Sequence, residues 1–421
     1  MKAVKRRVIE NFSWSALGEA GGKGMYFLVS IYLARKLKVE NYGVFMFAQT
    51  LVSYFWLGAD LGVNMYGQRE LCRNRKNVSG VINPLHTLRL VSAVFMLIVV
   101  LLWTVIFVNG ETEKTTIIGC SIYLISRAIS TEWIYRGFEK FAEVAISNLA
   151  IFGCMILLML FLVKTTQDLV KAAYIWSLSY LIGSLGLLLV MKLRNGITYR
   201  PNFRLSVWII HLKESLHFTA SGGIAALYFN IPIIYLGMFS SKWETGIFTA
   251  AFKVVYSLSF ILSIVSMSVY PVLSDLYVRD RARFERYKKL YVKVSLGIGL
   301  GISLLVTTWS ETIVLILYGK EYSNSGKVLQ YLIWFVALCS PRVAYNTIMA
   351  AAGMQRWYSW ASIMSAGVIC FCLYIFLKIT QTPTSAAVLS LLISEGSFLV
   401  IVQLISMRCL EAPRRLETEK A

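Results

Sequence analysis

Long apolar runs dominate this chain, and each is about as long as a lipid bilayer is thick. A helix rises about 1.5 Å per residue, so crossing roughly 30 Å of hydrocarbon takes about 20 residues. Read between polar punctuation, such runs fall near residues 12–34, 42–67, 81–108, 115–135, 141–163, 170–191, 216–239, 245–271, 291–309, 325–348, 358–379 and 384–407. Hydrocarbon offers no water to backbone N–H and C=O groups, so a spanning run of this kind must be helical. The predicted fold class is therefore an all-α polytopic membrane protein with about twelve transmembrane helices. With 57% hydrophobic and 15% charged residues among 421, little of the chain is left for a soluble catalytic domain.

The net charge of +20 does not gather on one polar face, as nucleic-acid binding would require, but is scattered between the apolar runs. It reads as a topology signal. With the N-terminus inside, the inner segments hold 28 Lys and Arg and the outer segments 10, a bias that places both termini in the cytoplasm. Lys2, Lys5, Arg6 and Arg7 resemble the start of a signal peptide, but Glu19 and Lys23 interrupt the run that follows, so the first helix is expected to be retained. The seven cysteines lie mostly within apolar runs and lack metal-ligand spacing, so neither disulfide nor metal is expected.

An internal repeat divides the chain. Ile31-Tyr32-Leu33-Ala34 recurs as Ile234-Tyr235-Leu236-Gly237, and Gly43-Val44-Phe45 with Ala48 recurs as Gly246-Ile247-Phe248 with Ala251, both at an offset of 203 residues. An even number of predicted helices separates the copies, so both halves cross the membrane in the same sense. The expected organisation is a six-helix lobe over 1–191, a linker over 192–215, a second six-helix lobe over 216–407 and a cytoplasmic tail over 408–421, with a substrate cavity between the lobes. Phe203, Leu205, Trp208, Ile209 and Ile210 among basic residues suit an amphipathic helix lying in the headgroup layer. The run from Arg279 to Lys289 is a basic surface that anionic lipids would attract.

Ionisable residues within spans cost at least about 2.5 kcal/mol near a helix centre, so each needs a partner or a wet cavity. The candidates are Glu19, Lys23, Asp60, Arg89, Arg127, Glu132, Lys253 and Glu395. Glu19 and Lys23, four apart, can neutralise each other. Arg89 and Glu132 lie within snorkelling reach of the inner interface, which favours anchoring. Lys23, Arg127 and Lys253 read as two turns or more from any helix end; with Arg89 they form the candidate cationic substrate site. Asp60, Glu19 and Glu395 are candidates for ion coupling or gating, and are equally the carboxylates that could neutralise the cations. The patches Gly18 to Gly24 and Ser221-Gly222-Gly223 suit either static close packing or a hinge.

Enzyme signatures are missing: there is no Gly-rich phosphate loop with lysine, no Gly-x-Ser-x-Gly, and only His86, His211 and His217 for acid–base work. Four segments carry a family resemblance. They are Tyr32-Leu33-Ala34-Arg35 with Tyr42-Gly43-Val44-Phe45 and Asp60-Leu61-Gly62; Glu132-Trp133-Ile134-Tyr135-Arg136-Gly137-Phe138-Glu139-Lys140; the helix ending Pro271-Val272-Leu273-Ser274; and Leu317-Tyr318-Gly319-Lys320-Glu321-Tyr322. Together, and in this order, they resemble the polysaccharide transporters, or O-antigen flippases, of the superfamily that also holds multidrug exporters and lipid II flippases.

The resemblance implies two six-helix lobes, a cationic cavity, and movement of an undecaprenyl-diphosphate-linked oligosaccharide across the bacterial inner membrane by alternating access. No cofactor is expected, and H+ or Na+ are candidate coupling ions. Expected partners are the lipid-linked oligosaccharide, anionic lipids and other polysaccharide-assembly proteins, and no nucleic acid. Rival expectations are a cation-coupled multidrug exporter, a lipid II flippase, a membrane-embedded polymerase or acyltransferase, and an assembly scaffold.

Overall fold

The computed structural model describes residues 2–219, 228–380 and 382–411. The expected tail lies outside these residues from 412 onward, as does the Ser221-Gly222-Gly223 patch. All regular structure among the described residues is helical, and the chain is a multi-span membrane protein. It folds as two compact units, Met1–Gly223 with Gly237–Gly246, and Ile224–Leu236 with Ile247–Ala421.

The first unit holds α1 (Lys2–Asp60), α2 (Val63–Arg73), α3 (Val78–Phe107), α4 (Glu111–Ile129), α5 (Glu132–Gly137), α6 (Phe141–Leu162), α7 (Leu169–Asn195) and α8 (Leu205–Phe218). The helices α9 (Ile231–Phe239) and α10 (Lys242–Arg279) follow, and each straddles the division between the units. The second unit continues with α11 (Arg281–Tyr318), α12 (Ser323–Leu332), α13 (Trp334–Ala351), α14 (Gln355–Ile379) and α15 (Pro383–Glu411). Within the first unit α4 packs on α7 and α1 on α6; within the second α14 packs on α15 and α11 on α13.

Among the described residues eight helical segments are long and apolar enough to span a bilayer, or nine with the bent pair α12–α13. Three features explain the difference from twelve. The long helix α1 is broken at Lys38, whose φ of 67° and ψ of 173° split it into two runs of spanning length. In α4, Glu111, Glu113, Lys114 and Arg127 interrupt the apolar run. The span expected at 216–239 lies partly outside the described residues.

The fourth predicted helix, 115–135, is corrected: α4 stops at Ile129, and Ser130 and Thr131 separate it from α5. At the glycine patch 18–24 α1 runs helically, and Gly18, Gly21 and Gly22 face Ala145, Leu149 and Phe152 of α6 at closest packing distance. The linker is tied down. Gly196 closes α7 with a φ of 64°, and the following strap is pinned to α3, where Asn83 Oδ1 accepts from Arg200 N at 3.0 Å and Thr87 Oγ1 from Asn202 N at 2.9 Å. Helix α8 lies against α2: the Tyr66 hydroxyl is 3.0 Å from His211 Nδ1, and Arg69 pairs with Glu214 at 3.3 Å. Burial there pulls the His211 imidazole below its ordinary range. Phe203, Leu205, Ile209 and Ile210 stay exposed, the apolar face that an interfacial helix turns toward lipid.

The repeat has a physical counterpart. The break at Lys38 maps by the 203-residue offset onto Ser241, whose Oγ caps α10 by accepting from Glu244 N at 3.1 Å. Just past each break a glycine meets the other copy. A Cβ on Gly43 would lie 2.1 Å from the Lys242 carbonyl oxygen, and one on Gly246 would lie 2.1 Å from the Val39 carbonyl oxygen. Lys242 and Val39 are themselves related by the offset, so the crossing is pseudo-two-fold. Lys242 also forms an ion pair with Glu113 of α4. Because both obstructing atoms are backbone, Gly246→Val is expected to lower stability by about 1–3 kcal/mol. Gly297→Ala, where nothing lies within 4 Å, should stay within about 0.5 kcal/mol in the same detergent melting series.

Candidate functional site

In the first unit the break after α4 organises a buried charge cluster. A helix end leaves carbonyls without intrahelical partners, and the Ser130 carbonyl is satisfied by the Arg89 guanidinium, with Nη1 donating at 3.0 Å. Arg89 Nε also pairs with Asp60 at 3.1 Å. Only 2% of the Arg89 side chain is exposed, so the snorkelling anchor expected of it is corrected: it points inward to its carboxylate and to the helix break.

Across the break, Arg127 in the last turn of α4 donates to Glu132 in the first turn of α5 at 3.2 Å. This also corrects the placement of Arg127 two turns from a helix end. Arg127 sits at the negative end of one helix dipole and Glu132 at the positive end of the next, so the helix break and the ion pair support each other. Arg136, one turn along α5, reaches Glu132 at 2.6 Å. Glu132, expected at the interface, is instead clasped by two guanidiniums. Three arginines thus face two carboxylates, and the cluster carries one positive charge in excess.

Aromatic rings enclose the cations. Trp56 lies under Arg89 at 4.9 Å and under Arg127 at 5.9 Å, and the Tyr180 ring also lies 5.9 Å from Arg127. Tyr123 stacks on Trp176 at 4.6 Å and meets Tyr180 edge-on at 4.9 Å. Such rings stabilise a guanidinium through their electron-rich faces while leaving its N–H groups free to donate. Arg127 and Trp56 are both partly exposed. A partly exposed arginine bedded in aromatic faces can take a phosphate oxygen and offer apolar surface beside it.

The other candidates in this unit are arranged more loosely. Glu19 lines a narrow crevice with Arg136 between α1 and α6, while Lys23, one turn along α1, is exposed and feels the charge of Glu19. Asp60 is held by Arg89 and also accepts from Asn64 N at 3.4 Å.

The second unit contains Lys253, half-buried on α10, and a separate cluster around Glu395. Glu395 is 0% exposed and pairs with Arg342 Nε at 2.6 Å; the Tyr228 hydroxyl donates to it at 3.2 Å. The Arg342 guanidinium lies 4.4 Å from the Phe229 ring centre and 5.3 Å from that of Phe398, and donates to the Tyr358 hydroxyl at 3.3 Å. Sequence reasoning missed Arg342, counting it among the inner-loop charges. The structure places it near the middle of α13, which runs on to Ala351 before Gly353 at a φ of 71° ends the turn. The signal was present in the apolar run continuing to Ala352 around a single charge.

A model of the polysaccharide biosynthesis protein family matches residues 8–277. A putative O-antigen transporter of Escherichia coli (strain K12) is 24% identical over 405 residues, covering 94% of this chain and 95% of that protein. One from Shigella dysenteriae is 25% identical over 374 residues, covering 88% and 92%. Among solved structures, an inward-facing multidrug-resistance MATE-family transporter of the MOP superfamily aligns with a TM-score of 0.69 at 14% identity, covering 94% of this chain and 98% of that one. A MOP-superfamily transporter from Pyrococcus furiosus, described as having a binding pocket of reversed polarity, aligns at 0.61 and 17%, covering 97% of each. The fold is that of the MATE-like transporters.

Breaking the second cluster from one side strands a buried charge. Glu395→Gln or Arg342→Met alone is expected to cost about 3–5 kcal/mol, while the paired replacement Arg342→Met with Glu395→Leu should recover most of it. A double-mutant cycle by thermal melting reads this directly.

Proposed function

Because the chain belongs to the polysaccharide biosynthesis protein family, we propose that it is a flippase that carries an undecaprenyl-diphosphate-linked oligosaccharide, an O-antigen or related repeat unit, across the bacterial inner membrane by alternating access. The O-antigen transporters it resembles over nearly their whole length support this cargo class, and the MATE-like fold supports a transport cycle rather than catalysis. Both termini are assigned to the cytoplasm on the charge bias of the connecting segments.

The observation that carries the reading is Arg127 with its aromatic bed. In this scheme Arg127 takes a diphosphate oxygen through two parallel N–H donors while Trp56 and Tyr180 offer ring faces to the sugars. Arg89 and Arg136 hold the carboxylates in check, so the cluster keeps its excess positive charge. Lys23 on α1 and Lys253 on α10, each within its own unit, are the further cations of this reading. An inside-negative potential favours outward movement of anionic cargo by about 2.3 kcal/mol per charge per 100 mV, so coupling to H+ or Na+ serves resetting. Glu19, which is partly exposed, suits that role better than Asp60 or Glu395, each held by an arginine.

Deletion is expected to deplete surface polysaccharide and to leave lipid-linked repeat units on the cytoplasmic side; normal surface glycan would refute the assignment. Arg127→Gln should reduce export about tenfold or more at unchanged protein abundance, since a charge-assisted hydrogen bond contributes about 1.5–3 kcal/mol. Glu132 keeps Arg136 as a partner in that variant, so the fold is not left with a stranded carboxylate. Wild-type export by Arg127→Gln would remove the cationic site.

A further inference from the structure

Helices α6 and α7 enclose a groove unconnected with the charge clusters. Its cavity measures about 450 Å³, within the range of small-molecule sites, and its walls are almost wholly apolar. Small residues make the space: Ala150 and Cys154 on α6, Gly183 and Gly186 on α7. The helices are in contact where Ile151 fills the place of a Cβ on Gly183, whereas a Cβ on Gly186 would have nothing within 4 Å. If a methylene group occupies about the 30 Å³ of a liquid water, the cavity holds on the order of fifteen, the scale of one acyl chain.

One end of the groove is charged. Glu143, in the first turn of α6, and Arg194, in the last turn of α7, both line it. The two helices are antiparallel neighbours joined by a short connection, so both charges lie at the same end of their spans, at headgroup depth. Among the described residues neither takes part in an ion pair. An acid and a base, both unanswered, at the mouth of an acyl-sized groove define the complement of a zwitterion.

We propose that this groove is a binding site for an aminophospholipid, with its phosphate on Arg194, its primary ammonium on Glu143 and one acyl chain along the α6–α7 floor. The charges select the headgroup. An anionic glycerophospholipid would leave Glu143 unanswered, and a polyprenyl diphosphate would set two or more negative charges against it. A quaternary ammonium has no N–H to donate to a carboxylate, and among the described residues no aromatic ring lines the groove to receive it.

The test uses the full chain, purified in mild detergent and exposed to an equimolar mixture of dioleoyl phosphatidylethanolamine and phosphatidylglycerol, with bound lipid counted by native mass spectrometry. The wild type is expected to retain the ethanolamine lipid about tenfold over the glycerol lipid. Glu143→Gln should abolish that preference while leaving binding itself, and Gly186→Leu should remove both lipids by filling the groove. Ala150→Leu fills it from the opposite wall, and melting temperature shows that either variant is folded. Adducts that follow the mixture in the wild type, or that survive both groove-filling variants, overturn the site. Displacement of the ethanolamine lipid by equimolar undecaprenyl diphosphate would reassign the groove to the substrate tail and overturn the proposal.

Discussion

A charge inside a bilayer has few ways to persist, and this protein uses the most direct one: it supplies the counter-charge from within. Arg89 has Asp60 and a helix-break carbonyl, Glu132 has two arginines, and Glu395 has Arg342 and a tyrosine hydroxyl. Asp60–Arg89 and Arg342–Glu395 join helices that are separate in sequence, so these charges act as pins between elements that share no hydrophobic driving force in lipid. The helix break at Ser130 is part of the same economy. It ends α4 where a guanidinium can receive the loose carbonyl, and it sets two helix ends so that their dipoles suit Arg127 and Glu132. Arg127 stands between structure and surface, since it pairs with Glu132 yet keeps 19% of its side chain exposed.

The two copies of the repeat reuse one backbone solution with different local chemistry. At the break the first copy keeps Lys38 in a left-handed conformation that costs a non-glycine residue on the order of 1–3 kcal/mol, while the second opens the chain and caps the new helix with Ser241. The glycines that follow are both needed, because each meets the backbone of the other copy. That mutual dependence is why Gly43 and Gly246 are matched across the repeat, whereas Ala34 and Gly237 are not.

Most of the fold was legible because the bilayer imposes a length and a polarity on every span. Helix ends such as those of α3, α6 and α7 fell close to their expected positions for that reason. Legibility failed where side chains replace the bilayer's rules. The end of α4 depends on Arg89 accepting responsibility for one carbonyl, a contact between residues 41 positions apart that no local pattern announces. Arg342 lies within the expected run 325–348 but was counted with the inner connection, and only the partner 53 residues later makes it tolerable within a helix. The intramembrane charges themselves were found readily; their partners were not, since pairing is a property of packing. The α6–α7 groove was invisible for a related reason, as scattered small residues carry no meaning until two helices bring them face to face.

The Arg342–Glu395 pair also bears on how the chain is made. Arg342 leaves the ribosome 53 residues before Glu395, an interval of several seconds at about 5–20 residues per second. During that time α13 carries a cation whose insertion alone is unfavourable by about 2.5–3.5 kcal/mol. No carboxylate within α13 itself offsets that cost. That penalty is removed when α15 brings Glu395 to the arginine, so a contact that is static in the finished protein also bears on its biogenesis.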